Sequence, residues 1–327
     1  MAAAISPDKI LKELDALWVG LGRESDEAGV LRACAMTLIA ITEDSVPGDV
    51  GETLAHLMRE HPSRAIVLRL AGGGEQLSER VFAQCWMPFG RLQQICCEQI
   101  EITSSLGALK EVPPVVRALT APDLPVVVWT RLPGLLTKPE FQPLFELASK
   151  VVVDSQRVPA AAEALAELAA AARSQILGDL AWTRLTRWRE MVAQVFDDPA
   201  YFSQIGGIDE AEIEYDGAFR PMSVFYMMGW LRSVLNREIR FSLKKAGECE
   251  RARLHAIALR GGTLNLRVNV EPTREAELLI CGREAHPVLP SLEEHDLLRE
   301  ELSIIGRDAV YEAALPHALR YAQERAA

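Results

Sequence analysis

Two short, wholly apolar and mostly β-branched runs, Val126-Val127-Val128-Trp129 and Val151-Val152-Val153, constrain this chain most. Each is bounded by proline or charge, and a short helical stretch separates them. A strand that is apolar on both faces has to be covered on both, as in a sheet sandwiched between helices. Residues 65–70 form a third such run, closed by Gly72-Gly73-Gly74, and residues 31–41, 80–87 and 95–103 read as further strands. Helical spacing recurs between them. Ser6-Pro7 supplies an N-cap and a first-turn proline ahead of Ile10, Leu14, Leu17, Trp18 and Leu21. Residues 51–60 are helical up to His61-Pro62, 106–119 carry Pro113-Pro114 and so predict a split or kinked helix, and 160–172 are alanine-rich. The expected first domain, residues 1–175, is α/β with a helix-covered mixed sheet.

From residue 176 to 327 the pattern changes. Residues 208–215 are strand-like, and 221–236 form a helix with Val224, Met227, Met228, Leu231 and Leu235 on its apolar side. Strand-like runs follow at 238–244, 254–260, 264–270 and 276–281. Leu264, Leu266, Val268 and Val270 alternate with Asn265, Arg267 and Asn269, the pattern of a strand with one wet face. Short connections such as Gly261-Gly262 predict an antiparallel meander. Helices near 292–304 and 308–324 complete a C-terminal α+β domain, giving an α/β chain of two domains.

Composition bounds the function. A chain of 327 residues with 49% hydrophobic and 25% charged residues can bury large cores. Its formal net charge of -11 repels polyanions, which argues against nucleic-acid binding and against anionic membranes. The first residues lack the cationic and apolar regions of a secretory leader, and no apolar run reaches membrane length. A cytoplasmic protein is expected, with its six cysteines read as buried free thiols rather than a disulfide framework.

No cofactor, metal or catalytic constellation is legible. Gly20-Leu21-Gly22 ends a helix instead of opening one, and the glycine run after residue 71 reads as a turn. Cys96 and Cys97 are adjacent on a strand and point to opposite faces, so they cannot grip one ion. His56, His61, His286 and His295 form no recognised ligand set, and G-x-S-x-G is absent.

The unusual segment is Gly178-Asp179-Leu180-Ala181-Trp182-Thr183-Arg184-Leu185-Thr186-Arg187-Trp188-Arg189-Glu190. In an acidic chain it gathers two tryptophans and three arginines within eight residues. If Asp179 caps one continuous helix, Trp182, Leu185, Trp188, Val192, Val195 and Phe196 form an apolar arc. Arg184 and Arg189 then fall inside the arc and Arg187 points to solvent. Arginines on a burying face need carboxylates, phosphates, carbonyls or aromatic faces. Two roles fit: an inter-domain clasp pairing these arginines with Asp154 or Asp123, or a surface gripping a partner protein or a phosphorylated ligand.

The same segment resembles the hallmark stretch of the OpcA family, the assembly and activation proteins of glucose-6-phosphate dehydrogenase. Three further stretches resemble that family in the same order: Arg32-Ala33-Cys34-Ala35-Met36-Thr37-Leu38, then His61-Pro62-Ser63-Arg64, then Ala121-Pro122-Asp123-Leu124-Pro125-Val126 with Val151-Val152-Val153-Asp154-Ser155. Where this chain has Arg187 the family usually has proline, a position suited to a helix that starts afresh at Thr186. The resemblance implies a non-catalytic partner that assembles or allosterically activates glucose-6-phosphate dehydrogenase in the oxidative pentose phosphate pathway. Some photosynthetic members are redox-tuned through C-terminal cysteines; with only Cys249 and Cys281 in its second half, this chain lacks a vicinal pair there. Asp179, Trp182, Arg184, Arg187, Trp188 and Arg189 are the expected partner-binding or inter-domain residues, with Arg64, Asp123 and Asp154 as phosphate or loop contacts. The alternative is a sugar-phosphate-binding protein or enzyme using Arg64, Arg184 and Arg189 as phosphate donors between the domains.

Overall fold

The computed structural model describes residues 5–24, 30–43, 50–72, 77–88, 94–105, 107–249, 252–271, 275–289, 292–304 and 306–325. Two of the three glycines at 72–74 therefore lie outside the described residues. The chain forms two compact units and passes between them several times. Unit 1 holds Met1–Val153, Gln175–Gly178 and Glu294–Ser303; unit 2 holds Asp154–Ser174, Asp179–Glu293 and Ile304–Ala327.

In unit 1 the elements run α1 (Pro7–Glu24), β1 (Val30–Arg32), β2 (Met36–Glu43), α2 (Val50–Leu57), β3 (Ser63–Ala71), β4 (Leu77–Trp86), β5 (Gln94–Ser105), α3 (Val112–Leu119), β6 (Val126–Thr130), α4 (Gln142–Phe145) and β7 (Lys150–Val153). After α5 (Ala161–Ala171) in unit 2, β8 (Leu177–Asp179) returns to the same sheet. The strand order is β1-β5-β3-β2-β6-β7-β8, with β4 paired to β5. β2, β3, β5, β6 and β7 pair in parallel and β4 antiparallel, so the sheet is mixed. The apolar runs that predicted a doubly covered sheet are its centre: Val128, Val151, Val152, Val153, Ile66 and Val67 have no exposed surface.

The expected strand over 31–41 is two strands, β1 and β2, separated at Ala33–Ala35, with the Ala35 amide donating to Pro62. The expected helix over 106–119 is split rather than kinked: a 3-10 turn at Leu109–Glu111 gives way to α3, whose first turn holds Pro113 and Pro114, where their missing donors cost nothing. The expectation of buried free thiols fails at one pair, and of the four free cysteines Cys34, Cys249 and Cys281 are exposed rather than buried. Cys85 and Cys96 stand directly opposite across β4 and β5 and form a disulfide, because facing residues of an antiparallel pair lie within side-chain reach. Cys97 remains a buried thiol, and burial pushes its pKa up to about 11.

Unit 2 continues with α6 (Leu180–Thr183), α7 (Thr186–Val195), α8 (Pro199–Phe202), β9 (Glu210–Asp216), α9 (Met222–Leu235), β10 (Arg240–Gly247), β11 (Arg253–Gly261), β12 (Leu264–Val270), β13 (Ala276–Ile280) and β14 (Arg283–Ala285). α10 (Glu294–Ser303) belongs to unit 1, and α11 (Ala309–Glu324) ends unit 2. The second sheet has the order β10-β9-β11-β12-β13-β14. β11 to β14 are the antiparallel meander expected from sequence, whereas β10 pairs in parallel with β9. α9 separates those two strands, and a crossover helix lets consecutive strands run the same way. α9 packs closely on α11 at Gly229, where an added Cβ would lie 2.4 Å from the Ala314 carbonyl.

Candidate functional site

The segment 178–190 is two helices. Asp179 caps α6, its carboxylate accepting from the Ala181 amide at 2.9 Å, and α6 ends at Thr183. A new helix begins at Thr186, so the continuous arc proposed from periodicity is broken at Arg184–Leu185.

Each side chain of the segment has a defined surrounding. Asp179 has no exposed surface; besides Ala181 it accepts from the Ser155 amide at 3.1 Å, from the Ser155 hydroxyl, and from Tyr226 Oη at 2.6 Å. Burial pushes its pKa up to about 6, against the pull of the Ser155 and Tyr226 hydrogen bonds, and the nearby Asp154 carboxylate adds to the rise. Tyr226 Oη also lies 3.2 Å from Tyr311 Oη. Burial first, and the Asp179 carboxylate second, hold the Tyr226 phenol well above its ordinary value. Trp182 sits against both tyrosines, with ring centroids 5.9 and 5.5 Å away, and its indole donates to Asp308 at 2.9 Å. Asp308 in turn caps α11 by accepting from Val310 and Tyr311.

The arginines separate by environment. Arg184 makes a two-pronged pair with Asp154 at 2.7 and 2.8 Å, within unit 2. Burial alone would raise the Asp154 carboxyl, but the guanidinium outweighs it and holds the group below the usual carboxylate range. Arg189 lies over the Trp182 ring, 3.7 Å from its centroid, and donates to Thr186. Trp188 is buried, whereas Arg187 is exposed and pairs with Glu190 on the same helix surface. Gly178 belongs to unit 1, where an added Cβ would lie 2.1 Å from Glu301 Oε1, the carboxylate paired with buried Lys150.

The phosphate candidates are not gathered into one place. Arg64 is buried in unit 1, where Nε donates to Glu98 at 2.6 Å and Nη1 to the Leu119 carbonyl at 2.8 Å. Glu98 also receives the Trp18 indole and Arg32. Asp123 is exposed at a turn, with a φ of 62° that aspartate tolerates better than most residues. The contacts of Ser155, Tyr226, Tyr311 and Asp308 with this segment carry no sequence expectation. The available signal was two tyrosines inside apolar helices, since a buried phenol needs a partner. Among the described residues no group of three or more His, Cys, Asp or Glu is placed to hold a metal. No described helix is long and apolar enough to cross a membrane.

Residues 55–170 match the family model described as the glucose-6-phosphate dehydrogenase subunit N-terminal domain, and residues 175–315 match its C-terminal domain. The chain belongs to the OpcA family. Relatives of this OpcA chain include the putative OxPP cycle protein OpcA of Synechocystis sp., 30% identical over 201 residues, which is 60% of this chain and 42% of that protein. The protein of the same name from Nostoc punctiforme is 28% identical over 203 residues, covering 61% and 43%. The matched part thus spans less than half of these relatives. Among solved structures, a super-repressor mutant of Gal80p from Saccharomyces cerevisiae aligns with a TM-score of 0.50 at 9% identity. That alignment covers 89% of this chain and 95% of the other, a likeness of fold alone.

Proposed function

We propose that this OpcA chain is a non-catalytic assembly factor that binds glucose-6-phosphate dehydrogenase and shifts it toward its active conformation. The observation that carries this reading is the ordered match of both halves to domains described as subunits of that dehydrogenase. A protein that binds one state of an enzyme more tightly moves the population toward that state, and this needs no catalytic residue of its own. The internal pairing of the arginines supports the same reading over sugar-phosphate binding. Arg64 and Arg184 are each neutralised by a carboxylate within their own unit, so neither presents an open charge to a phosphate.

Within the segment 178–190 the roles then divide. Asp179, Trp182, Arg184, Trp188 and Arg189 hold unit 2 together, while Arg187, with Glu190, is the part that can meet a partner. The test is steady-state kinetics of the cognate dehydrogenase with and without the chain. A saturable fall in KM for glucose 6-phosphate or rise in kcat is expected; unchanged kinetics at micromolar chain would sink the activation claim.

A further inference from the structure

The parallel strands of unit 1 progress in two directions from its centre. β2 leads outward through β3 to β5, whereas β6 leads through β7 to β8 on the other side. β2 and β6 are neighbours in parallel register, so the topological switch point lies between their carboxyl ends. In open α/β sheets this crevice is where ligands bind, with anionic groups set near the start of the helix that follows the first strand. Here that helix is α2, and Arg131 immediately follows β6.

An anion already occupies this place, and it comes from the chain itself. The Glu294 carboxylate, at the first residue of α10, accepts from Arg131 Nε at 2.8 Å, from a second guanidinium nitrogen, and from the Thr53 hydroxyl at 3.1 Å. Thr53 lies in the first turn of α2, so one carboxylate bridges the two elements that flank the switch point. The Arg131 side chain is only 9% exposed and lies over Trp129, itself buried. A guanidinium so enclosed requires a counter-anion. All of these residues belong to unit 1.

We propose that Glu294 is an internal anion filling the anion-binding position of a switch-point crevice, and that a phosphate- or pyrophosphate-bearing ligand binds there by displacing it. The donors suit either anion, because a guanidinium fork pairs with carboxylate and phosphate alike. The tethered carboxylate competes at high effective concentration, so the wild-type chain binds such a ligand weakly until α10 withdraws. Glu43 ends β2 and Glu52 precedes Thr53 in α2, carboxylates whose charge opposes a polyanion, so the effect is read as a ratio between variants. This inference does not rest on the dehydrogenase partnership.

The test is calorimetric titration of the full chain with inorganic pyrophosphate, and with ADP, at low ionic strength. Glu294→Ala and Glu294→Gln are expected to bind pyrophosphate at least tenfold more tightly than the wild type, and adding Arg131→Ala should abolish the gain. Tighter binding of ADP than of pyrophosphate would assign a nucleotide; equal affinities would assign the phosphate groups alone. Folded Glu294 variants that bind no better than the wild type overturn the proposal. If neither variant folds, hydrogen exchange of α10 in the wild type decides: acceleration by millimolar pyrophosphate supports displacement, and unchanged exchange refutes it.

Discussion

At Asp179, burial and hydrogen bonding oppose one another. Its carboxyl is raised from 3.8 to about 6, so the folded chain holds a proton there that the unfolded chain releases. The stability tied to that proton is fully present below about pH 4 and is lost as pH rises through about 6, a difference of roughly 3 kcal/mol. Asp179→Asn should therefore flatten the pH dependence of urea unfolding between about pH 4 and 6.5; a variant with the wild-type slope contradicts the assignment. Gly178 is constrained by space rather than charge. Gly178→Ala would push the Glu301 carboxylate off buried Lys150 and destabilise the chain by roughly 2–4 kcal/mol, read by denaturant titration. Arg184→Ala, which leaves Asp154 without its guanidinium, should cost about 1–3 kcal/mol, whereas Arg187→Ala should stay within about 0.5 kcal/mol.

The elements show what a sequence discloses and what it hides. The valine runs of β6 and β7 were legible because apolarity on both faces has one common solution, and the alternation of β12 disclosed its wet face. α6 and α7 were not separable by periodicity, since their buried residues keep helical spacing across the break at Arg184–Leu185. The parallel pairing of β10 was hidden because strand direction depends on where α9 packs, a non-local property. The same holds for β4, joined at an edge by Cys85–Cys96, whose register no spacing rule supplies. That bond closes a loop of sequence separation 11, so Cys85→Ser should lower stability by about 2–3 kcal/mol. Hydrogen exchange should show the loss of protection concentrated in β4 and β5; a uniform loss across unit 1 would speak against a local staple.

For the whole molecule, sequence alone disclosed an α/β chain of two domains and a family resemblance, but not the partners of its most distinctive segment. Trp182 and Asp308 are far apart in sequence, as are Asp179 and Tyr226, and such pairs become visible only once α9 and α11 are in place. The structure also explains why a segment that fitted either a clasp or a docking surface is mostly enclosed: its tryptophans are buried, and Arg184 and Arg189 find partners within the chain. The central claim is that the protein works by binding another. Mass photometry of the chain mixed with its cognate glucose-6-phosphate dehydrogenase tests this most directly. The account predicts a stoichiometric complex, heavier than either component, that Arg187→Ala weakens without changing the melting temperature; two unshifted species at micromolar concentration would contradict it.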